Sequence, residues 1–112
     1  MLVLFLCFDR PGDGARRRAA RAEHLRYMMA HQDALVFGGP IADEPGGPSV
    51  GSVFVLDLPD LGAADRFLAA EPYHRAGVFE SVLVRPFRQM MPEPVAGHLQ
   101  AELDNELAGA TG

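Results

Sequence analysis

The chain has 112 residues, of which 48% are hydrophobic and 22% charged, and its formal net charge is −5 at pH 7. These values are typical of one globular domain and argue against nucleic acid as a partner. The single cysteine, Cys7, excludes an internal disulfide bond, and the apolar run at residues 1–8 is too short to span a membrane. No basic residue precedes that run as in a signal peptide, so we expect a cytoplasmic protein without a membrane partner.

Six elements are predicted from hydrophobic periodicity and turn residues. Strands are expected at residues 1–8, 35–38, 52–58 and 77–87, and helices at residues 15–33 and from Pro59-Asp60 to the Pro72 block. Asp13 is expected to cap the first helix, and residues 43–51, rich in glycine and proline, are expected to form a loop. The order β-α-β-β-α-β predicts a ferredoxin-like α+β fold, in which both helices cover one face of a four-stranded antiparallel sheet with the first and third strands at its centre.

The two expected central strands are apolar on both of their faces. Residues 1–8 (MLVLFLCF) and residues 52–58 (SVFVLDL) show almost no alternation with polar side chains. Because two helices cover only one face of the sheet, a single chain would leave a large apolar patch exposed. We therefore expect a homodimer in which the open sheet faces of two copies pack together.

The last part of the chain lies beyond this pattern. We assign residues 1–90 to the ferredoxin-like domain and residues 91–112 to a C-terminal tail. Leu99, Leu103 and Leu107 recur at the spacing of an amphipathic helix, so a short helix is expected there. Docking of this helix across the dimer and fraying into solvent both remain open.

The first helix carries two neighbouring stripes of side chains. The stripe expected to face the core consists of Ala22, Leu25 and Met29. The adjacent stripe is mostly polar and consists of Arg17, Arg21, His24, Met28 and His31. His24 therefore lies at the border between core and solvent, where an imidazole can act as a general acid or base near neutral pH. A histidine bonded only to the backbone is the structural alternative.

A carboxylate stands where the second helix is expected to end. Glu71 precedes Pro72, which disfavours helical geometry at the residue before it, and negative charge is unfavourable at a helix C-terminus. A residue placed at such a cost is explained by a partner elsewhere in the fold. We expect that partner to be His24.

Other residues are expected to contact a ligand. Arg21 lies one turn before His24 and is suited to an anionic or phenolate group, whereas Arg16, Arg17 and Arg18 are expected to form a solvated basic face. Tyr73 is expected to line the pocket. Gly39 and Pro40 follow a strand closely, which allows a ligand to approach the backbone.

Metal and cofactor sites are not indicated. His31 and His74 could join His24 at a metal ion, but no CxxC, HExxH or paired-carboxylate spacing supports such a site. The chain also has no nucleotide-binding fingerprint and no evident covalent nucleophile. We expect neither a metal nor a cofactor.

Several segments resemble the YCII-related proteins in order and spacing: residues 21–25 (RAEHL), residues 38–43 (GGPIAD), Gly51 and residues 71–78 (EPYHRAGV). The resemblance covers about residues 1–90 and implies a ferredoxin-like fold that dimerises as an α+β barrel. It also implies an active site that pairs a helix-borne histidine, matched by His24, with an acid before a Pro-Tyr or Pro-Phe step, matched by Glu71. The family usually has Asp at that position. One characterised branch eliminates chloride from a chlorinated hydroxyquinol without a cofactor.

Together these features predict a cofactor-independent enzyme that transfers a proton on a small cyclic or hydroxylated organic substrate, as a lyase, a dehydrochlorinase or an isomerase does. His24 is the expected general acid or base, and Glu71 is expected to orient it. One alternative is a non-catalytic dimer that binds a metabolite or assists another enzyme. Another is a cofactor-free oxygenase, because the α+β barrel architecture also hosts those enzymes.

Overall fold

The computed structural model describes residues 1–12 and 14–109, which form eight elements. In chain order they are β1 (Leu2–Asp9), α1 (Gly14–Ala30), β2 (Leu35–Ala42), β3 (Ser49–Asp57), α2 (Leu61–Ala70), α3 (Pro72–Arg75), β4 (Phe79–Phe87) and α4 (His98–Leu107). The strands form one antiparallel sheet in the spatial order β2-β3-β1-β4. This order confirms the predicted ferredoxin-like α+β fold, with the first and third strands at the centre. Asp13, the expected cap of α1, lies outside the described residues.

The hydrophobic core lies between the sheet and the helices. Along β1, the side chains of Val3, Phe5 and Cys7 are fully buried against the helix layer. Strand alternation places Leu4 and Leu6 on the opposite face. Residues from both α1 and α2 pack on the same buried cluster, so the two long helices cover one face of the sheet as predicted.

The second strand is longer than predicted. β2 continues through Gly39 and Pro40 to Ala42 instead of ending before them. Proline is tolerated there because β2 is an edge strand, where a missing N–H need not interrupt the ladder. β3 begins at Ser49, so the loop predicted at residues 43–51 is also shorter than expected.

The face that α1 turns toward the sheet differs from the prediction. Ala22, Leu25 and Met29, the expected core stripe, are exposed. The buried face instead includes His24 and packs Tyr27 against the core. The hydroxyl of Tyr27 donates to a backbone carbonyl of α2 at 2.7 Å. Polar side chains can be buried on this face because other elements supply their hydrogen-bond partners.

A one-turn helix, α3, connects α2 to β4, although the sequence pattern predicts that a strand follows Glu71 closely. Glu71 ends α2 and is at the same time the N-cap of α3, where its carboxylate accepts a hydrogen bond from the backbone N–H of His74 at 2.9 Å. Pro72 occupies the start of α3, where its missing N–H is not needed. The carboxylate at the end of one helix is therefore stabilised as the cap of the next.

The sheet face opposite α1 and α2 is largely apolar and partly exposed in the single chain. Phe8, Leu83 and Phe87 are 42%, 46% and 39% exposed. The ladder pairs Leu6 with Leu83, which extends the same apolar surface across β1 and β4. α1 and α2 pack on the other face of the sheet.

The chain continues beyond β4 into α4. Two of its apolar side chains, Leu103 and Leu107, are 51% and 77% exposed. The division of the chain into a domain at residues 1–90 and a tail at residues 91–112 stays a prediction, and residues 110–112 lie outside the described part. Among the helices of the described residues, none has both the length and the apolar character needed to cross a membrane.

Candidate functional site

A cavity of about 350 Å³ opens between the helix layer and one end of the sheet. Five of the six predicted site residues line it: Arg21, His24, Gly39, Pro40 and Tyr73. The sixth, Glu71, lies fully buried behind His24. The structure thus brings together residues that are up to about fifty positions apart in the chain.

The walls of the cavity combine cationic and apolar groups. α1 contributes two arginines, Arg17 and Arg21, together with His24. The sheet contributes Phe37 and Phe54. A volume of this size is at the lower end of the range for small-molecule sites, which suits a ligand of about one ring.

His24 and Glu71 form a buried hydrogen-bonded pair. Nδ1 of His24 lies 2.5 Å from Oε1 of Glu71, and the two side chains are 11% and 0% exposed. Because a carboxylate can only accept, we assign the proton to Nδ1 of His24. In the neutral ring Nε2 is then unprotonated, and it is the nitrogen left for a ligand in the cavity.

The carboxylate of Glu71 is held at both of its oxygens. Oε1 pairs with His24, and Oε2 accepts the backbone N–H of His74 at 2.9 Å. A buried carboxylate needs such partners to offset its loss of hydration. Since neither oxygen points free into the cavity, the geometry suits Glu71 to orienting the imidazole rather than contacting a ligand.

The ring of Tyr73 stacks on the imidazole. The two ring centroids are 3.9 Å apart and the planes are inclined by 16°. Tyr73 is 2% exposed, and burial raises its pKa above the ordinary value, although Arg17 and Arg21 act in the opposite direction. The phenol therefore stays protonated at neutral pH and contributes no negative charge to the site.

Arg17 is a member of the site, and the prediction that it is part of a solvated face is wrong. Its side chain is 11% exposed, and Nη1 donates to both carboxylate oxygens of Asp9 at 3.0 Å. Nη2 donates to the hydroxyl of Ser52 at 2.8 Å, and the guanidinium carbon lies 4.5 Å from the centroid of Tyr73. The guanidinium is buried because β1 and β3 bring these partners beneath this face of α1.

Arg21 lies in a different environment from Arg17. It is exposed, lines the cavity, and makes no hydrogen bond or ion pair with any residue in the described ranges 1–12 and 14–109. Gly39 and Pro40 lie in the edge strand β2 and form part of the cavity wall. The charge of Arg21 is therefore available to a ligand in the cavity.

The other histidines considered for a metal site lie apart from His24. Nδ1 of His31 is 2.7 Å from the carbonyl oxygen of Tyr27, and the side chain of His74 is exposed on α3. Across the part of the chain that the structure describes, no group of three or more His, Cys, Asp or Glu side chains is arranged to hold a metal ion.

The thiol of Cys7 lies close to the pair but within the core. Burial, reinforced by the nearby carboxylates of Glu71 and Asp9, raises the pKa of Cys7 to about 12. The fraction of Cys7 present as the nucleophilic thiolate is therefore negligible near neutral pH. Cys7 is a core residue, as its apolar sequence context predicts.

Sequence reasoning missed Asp9 and Ser52 as members of the site. One signal for Asp9 was present, because strand alternation from Cys7 places it on the helix-facing side just where β1 ends. Nothing local identifies Arg17 as the partner, since three of its neighbours on α1 are also arginines. Its pairing depends on how the helix lies on the sheet.

Solved structures with a similar fold include two enzymes. The 5-chloro-2-hydroxyhydroquinone dehydrochlorinase TftG from Burkholderia phenoliruptrix, in complex with 2,5-dihydroxybenzoquinone, is 26% identical with a TM-score of 0.76 over 80% of this chain and 95% of that one. SnoaB, a cofactor-independent oxygenase from Streptomyces nogalater, is 20% identical with a TM-score of 0.52 over 82% of this chain and 97% of that one. The second likeness shows the fold alone.

Sequence relatives cover the same part of the chain. Protein YciI from Escherichia coli O6:H1 is 31% identical over 97 residues, which are 80% of this chain and 99% of the relative. An uncharacterized protein from Haemophilus influenzae is 30% identical over 97 residues with the same coverage. The family model of the YCII-related domain matches residues 1–88. The chain therefore belongs to the YCII-related family.

Proposed function

We propose that the chain is an enzyme that transfers a proton on a small cyclic, hydroxylated organic substrate, as a dehydrochlorinase or a related lyase does. The observation that carries the proposal is the hydrogen bond between Glu71 and Nδ1 of His24 at the wall of a ligand-sized cavity. The fold neighbour TftG is a small-molecule dehydrochlorinase, which makes a small-molecule enzyme the natural assignment at this similarity. All the groups that the mechanism uses belong to this chain.

His24 acts as the general base in this proposal. With Nδ1 donating to Glu71, Nε2 has a free lone pair and can take a proton from a ligand hydroxyl or acidic C–H group. The negative charge of Glu71 then stabilises the imidazolium that forms, as the buried acid does in other His-acid pairs. Glu71 itself stays bonded at both oxygens throughout.

Arg21 and Tyr73 complete the proposed site. Arg21 stabilises the negative charge that develops on a ring oxygen when the proton leaves, because no neighbouring carboxylate in the described residues neutralises it. The face of Tyr73 supports the imidazole. The TftG complex holds 2,5-dihydroxybenzoquinone, a single ring with acidic oxygens, and this favours the same class of ligand here.

An elimination at this site is balanced without an added reagent. In a chlorinated hydroxyquinol, the halogen-bearing ring carbon first gains a proton as the neighbouring hydroxyl tautomerises to a ketone. Nε2 of His24 then accepts the proton of a second hydroxyl, whose oxygen forms a C=O bond while the shifted C=C electron pair expels the halide ion with its bonding pair. The products are the protonated imidazole, a halide ion and a ring at the oxidation level of a quinone. The imidazolium then returns its proton to water.

The direct test compares two histidines of the same chain. Chloride release from 5-chloro-2-hydroxyhydroquinone is measured for the wild type, for His24→Gln and for the control His74→Gln, whose exposed side chain lies outside the cavity. We expect His24→Gln to lower turnover by about 10²- to 10⁴-fold and the control to retain it. Wild-type turnover in His24→Gln would refute the role of the imidazole.

The alternative function makes a different prediction in the same experiment. A non-catalytic metabolite-binding or accessory protein would bind 2,5-dihydroxybenzoquinone in the cavity and release no chloride from the chlorinated ring. Binding is followed by calorimetric titration, with Arg21→Met as the variant that weakens the affinity for an acidic ring. Binding without turnover over a panel of halogenated hydroxyquinols would replace the enzymatic assignment.

A homodimer through the open sheet faces is part of the proposal. The exposed apolar side chains of Phe8, Leu83 and Phe87 lie on one continuous face. Removing such a face from water stabilises association by about 25 cal/mol for each Å² buried, before the entropic cost of association. Soluble monomers rarely retain apolar patches of this kind.

A further inference from the structure

The guanidinium of Arg17 is the centre of a buried polar network that the proton transfer proposed above does not use. It donates two hydrogen bonds to the carboxylate of Asp9, both at 3.0 Å, and one to the hydroxyl of Ser52 at 2.8 Å. The side chains of Arg17 and Asp9 are each 11% exposed. The bonds to Asp9 come from Nη1 and the bond to Ser52 comes from Nη2, so two nitrogens together fix both the position and the plane of the guanidinium. Arg17 is thus anchored to the two central strands, at Asp9 of β1 and Ser52 of β3.

The anchored guanidinium contacts the ring on which His24 stacks. Its central carbon lies 4.5 Å from the centroid of Tyr73, and that centroid lies 3.9 Å from the centroid of the imidazole. Arg17 and His24 are seven residues apart on α1, which is two helical turns or about 10 Å along the axis. One aromatic ring from α3 therefore contacts both side chains of the same helix.

We infer that Arg17 is a positioning residue: anchored by Asp9 and Ser52, its guanidinium holds the ring of Tyr73 in place, and that ring sets the plane of the His24 imidazole. The inference rests on the proposed function in giving His24 the proton-transfer role. Arg17 acts through Tyr73 and does not itself take up a proton.

The imidazole needs this second restraint. The hydrogen bond from Nδ1 to Glu71 fixes one atom of the ring but still allows the ring plane to tilt. Stacking at an interplanar angle of 16° removes this freedom and fixes the direction in which Nε2 points. Proton transfer depends steeply on that direction, because a misplacement of about 1 Å can reduce a rate by about 10²-fold.

Arg21 provides a matched comparison one turn along the same helix. Both arginines line the cavity, but the charge of Arg17 is compensated by Asp9, whereas that of Arg21 has no ion-pair partner in the described ranges. Arg17→Met should therefore disturb the geometry of His24, and Arg21→Met should disturb ligand binding. The same substitution thus separates positioning from charge recognition.

The stacking of His24 on Tyr73 is tested by NMR of the protein without ligand. Ring protons of a histidine stacked on a tyrosine are shifted upfield by the aromatic ring current. In Arg17→Met we expect the Cε1–H and Cδ2–H resonances of His24 to move downfield toward their unstacked positions, while Arg21→Met leaves them in place. Arg17→Lys should restore them only in part, because an ammonium keeps the charge but not the planar fork. Unchanged His24 resonances in a folded Arg17→Met protein, or equal shifts in both methionine variants, would overturn the inference.

A second variant keeps the experiment decisive if Arg17→Met fails to fold. The double variant Asp9→Asn/Arg17→Met removes both buried charges, so neither remains unpaired. We expect it to fold and to show the same downfield shift of the His24 protons; native shifts there would also overturn the inference. The NMR result needs no turnover, so it stands apart from the success or failure of the proposed reaction.

Kinetics give an independent readout where chloride release is observed. We expect Arg17→Met to lower kcat by about 10- to 100-fold with little change in KM, because the ligand contacts remain. Arg21→Met should raise KM for an acidic ring. A rise in KM at unchanged kcat in Arg17→Met would assign Arg17 to ligand binding and contradict its positioning role.

Discussion

Replacing Glu71 with glutamine changes the hydrogen-bonding character of the buried pair without changing its size. In the wild type, the carboxylate of Glu71 accepts hydrogen bonds from two donors, Nδ1–H of His24 and the backbone N–H of His74. Glutamine has only one oxygen, and the backbone donor cannot change its character. We therefore expect the amide oxygen to remain with His74 and the amide NH₂ to face Nδ1 of His24.

The structure allows the size of the effect to be worked out. The variant exchanges a charge-assisted hydrogen bond, worth about 1.5–3 kcal/mol, for a neutral one worth about 1 kcal/mol, so this exchange should lower the free energy of unfolding by about 0.5–2 kcal/mol. The amide NH₂ carries two N–H groups and Nδ1 of His24 can accept only one of them, so the second is buried without an acceptor and adds to this loss. The imidazole adapts by moving its proton from Nδ1 to Nε2, and that tautomer has no lone pair on the nitrogen left for a ligand.

Long-range ¹H–¹⁵N correlation spectra of the imidazole nitrogens at about pH 9, where histidine rings are neutral, measure this tautomer directly. We expect Nδ1–H in the wild type and Nε2–H in Glu71→Gln, together with a loss of any base-dependent turnover. Glu71→Asp is the matched control, because it keeps an acceptor-only group and loses one buried CH₂, worth about 1 kcal/mol. Retention of the Nδ1–H tautomer in Glu71→Gln would show that the carboxylate does not determine the protonation of His24.

Three further predictions concern the sheet and the core. Leu83→Glu places a charge on the open sheet face and should give a monomer by size-exclusion chromatography with light scattering. The control Leu61→Glu, at a similarly exposed position (44%) in the helix layer, should remain a dimer. A dimer in both variants would contradict association through that face. Burial raises the pKa of the Cys7 thiol from 9.0 to about 12 in the folded chain, so the stability that the protonated thiol confers is complete below pH 9 and is lost as the pH rises toward 12. Cys7→Ala should therefore flatten the pH–stability curve between pH 9 and 12. An unchanged slope in that range would argue against the raised pKa. A Cβ at Gly51 would lie 2.1 Å from the carbonyl oxygen of Cys7, so Gly51→Ala should lower the free energy of unfolding, measured in urea, by about 1–3 kcal/mol or more. A Cβ at Gly39 meets no atom within 4 Å, so Gly39→Ala should change that free energy by less than about 0.5 kcal/mol. Equal effects of the two substitutions would refute the steric explanation.

Much of the architecture could be predicted because it is encoded locally. The apolar run at residues 1–8 and the turn residues between elements determine where strands and helices form, and their order leads to the ferredoxin-like sheet. Element ends were less predictable. Pro40 looks like the end of a strand in sequence, and only its place at the sheet edge allows β2 to continue past it.

The pairing of His24 with Glu71 was accessible for a different reason. A carboxylate before a proline at a helix end is unfavourable by itself, so the sequence indicated that a partner was needed. The structure brings His24 to within 2.5 Å of it and also shows that α3 begins there, with Glu71 as its cap. A one-turn helix leaves no periodic signal in the sequence, which is why α3 was not predicted.

By itself, the sequence determined the order of the elements, the apolar sheet with one uncovered face, and the residue types available for proton transfer. Only the tertiary structure decided which stripe of α1 is buried, and with it the separate environments of Arg17 and Arg21. The physical reason is that burying a polar stripe is favourable only when other elements supply partners, here Asp9 and Ser52 from the strands. Those partners come from distant parts of the chain, so no pattern within α1 can reveal them.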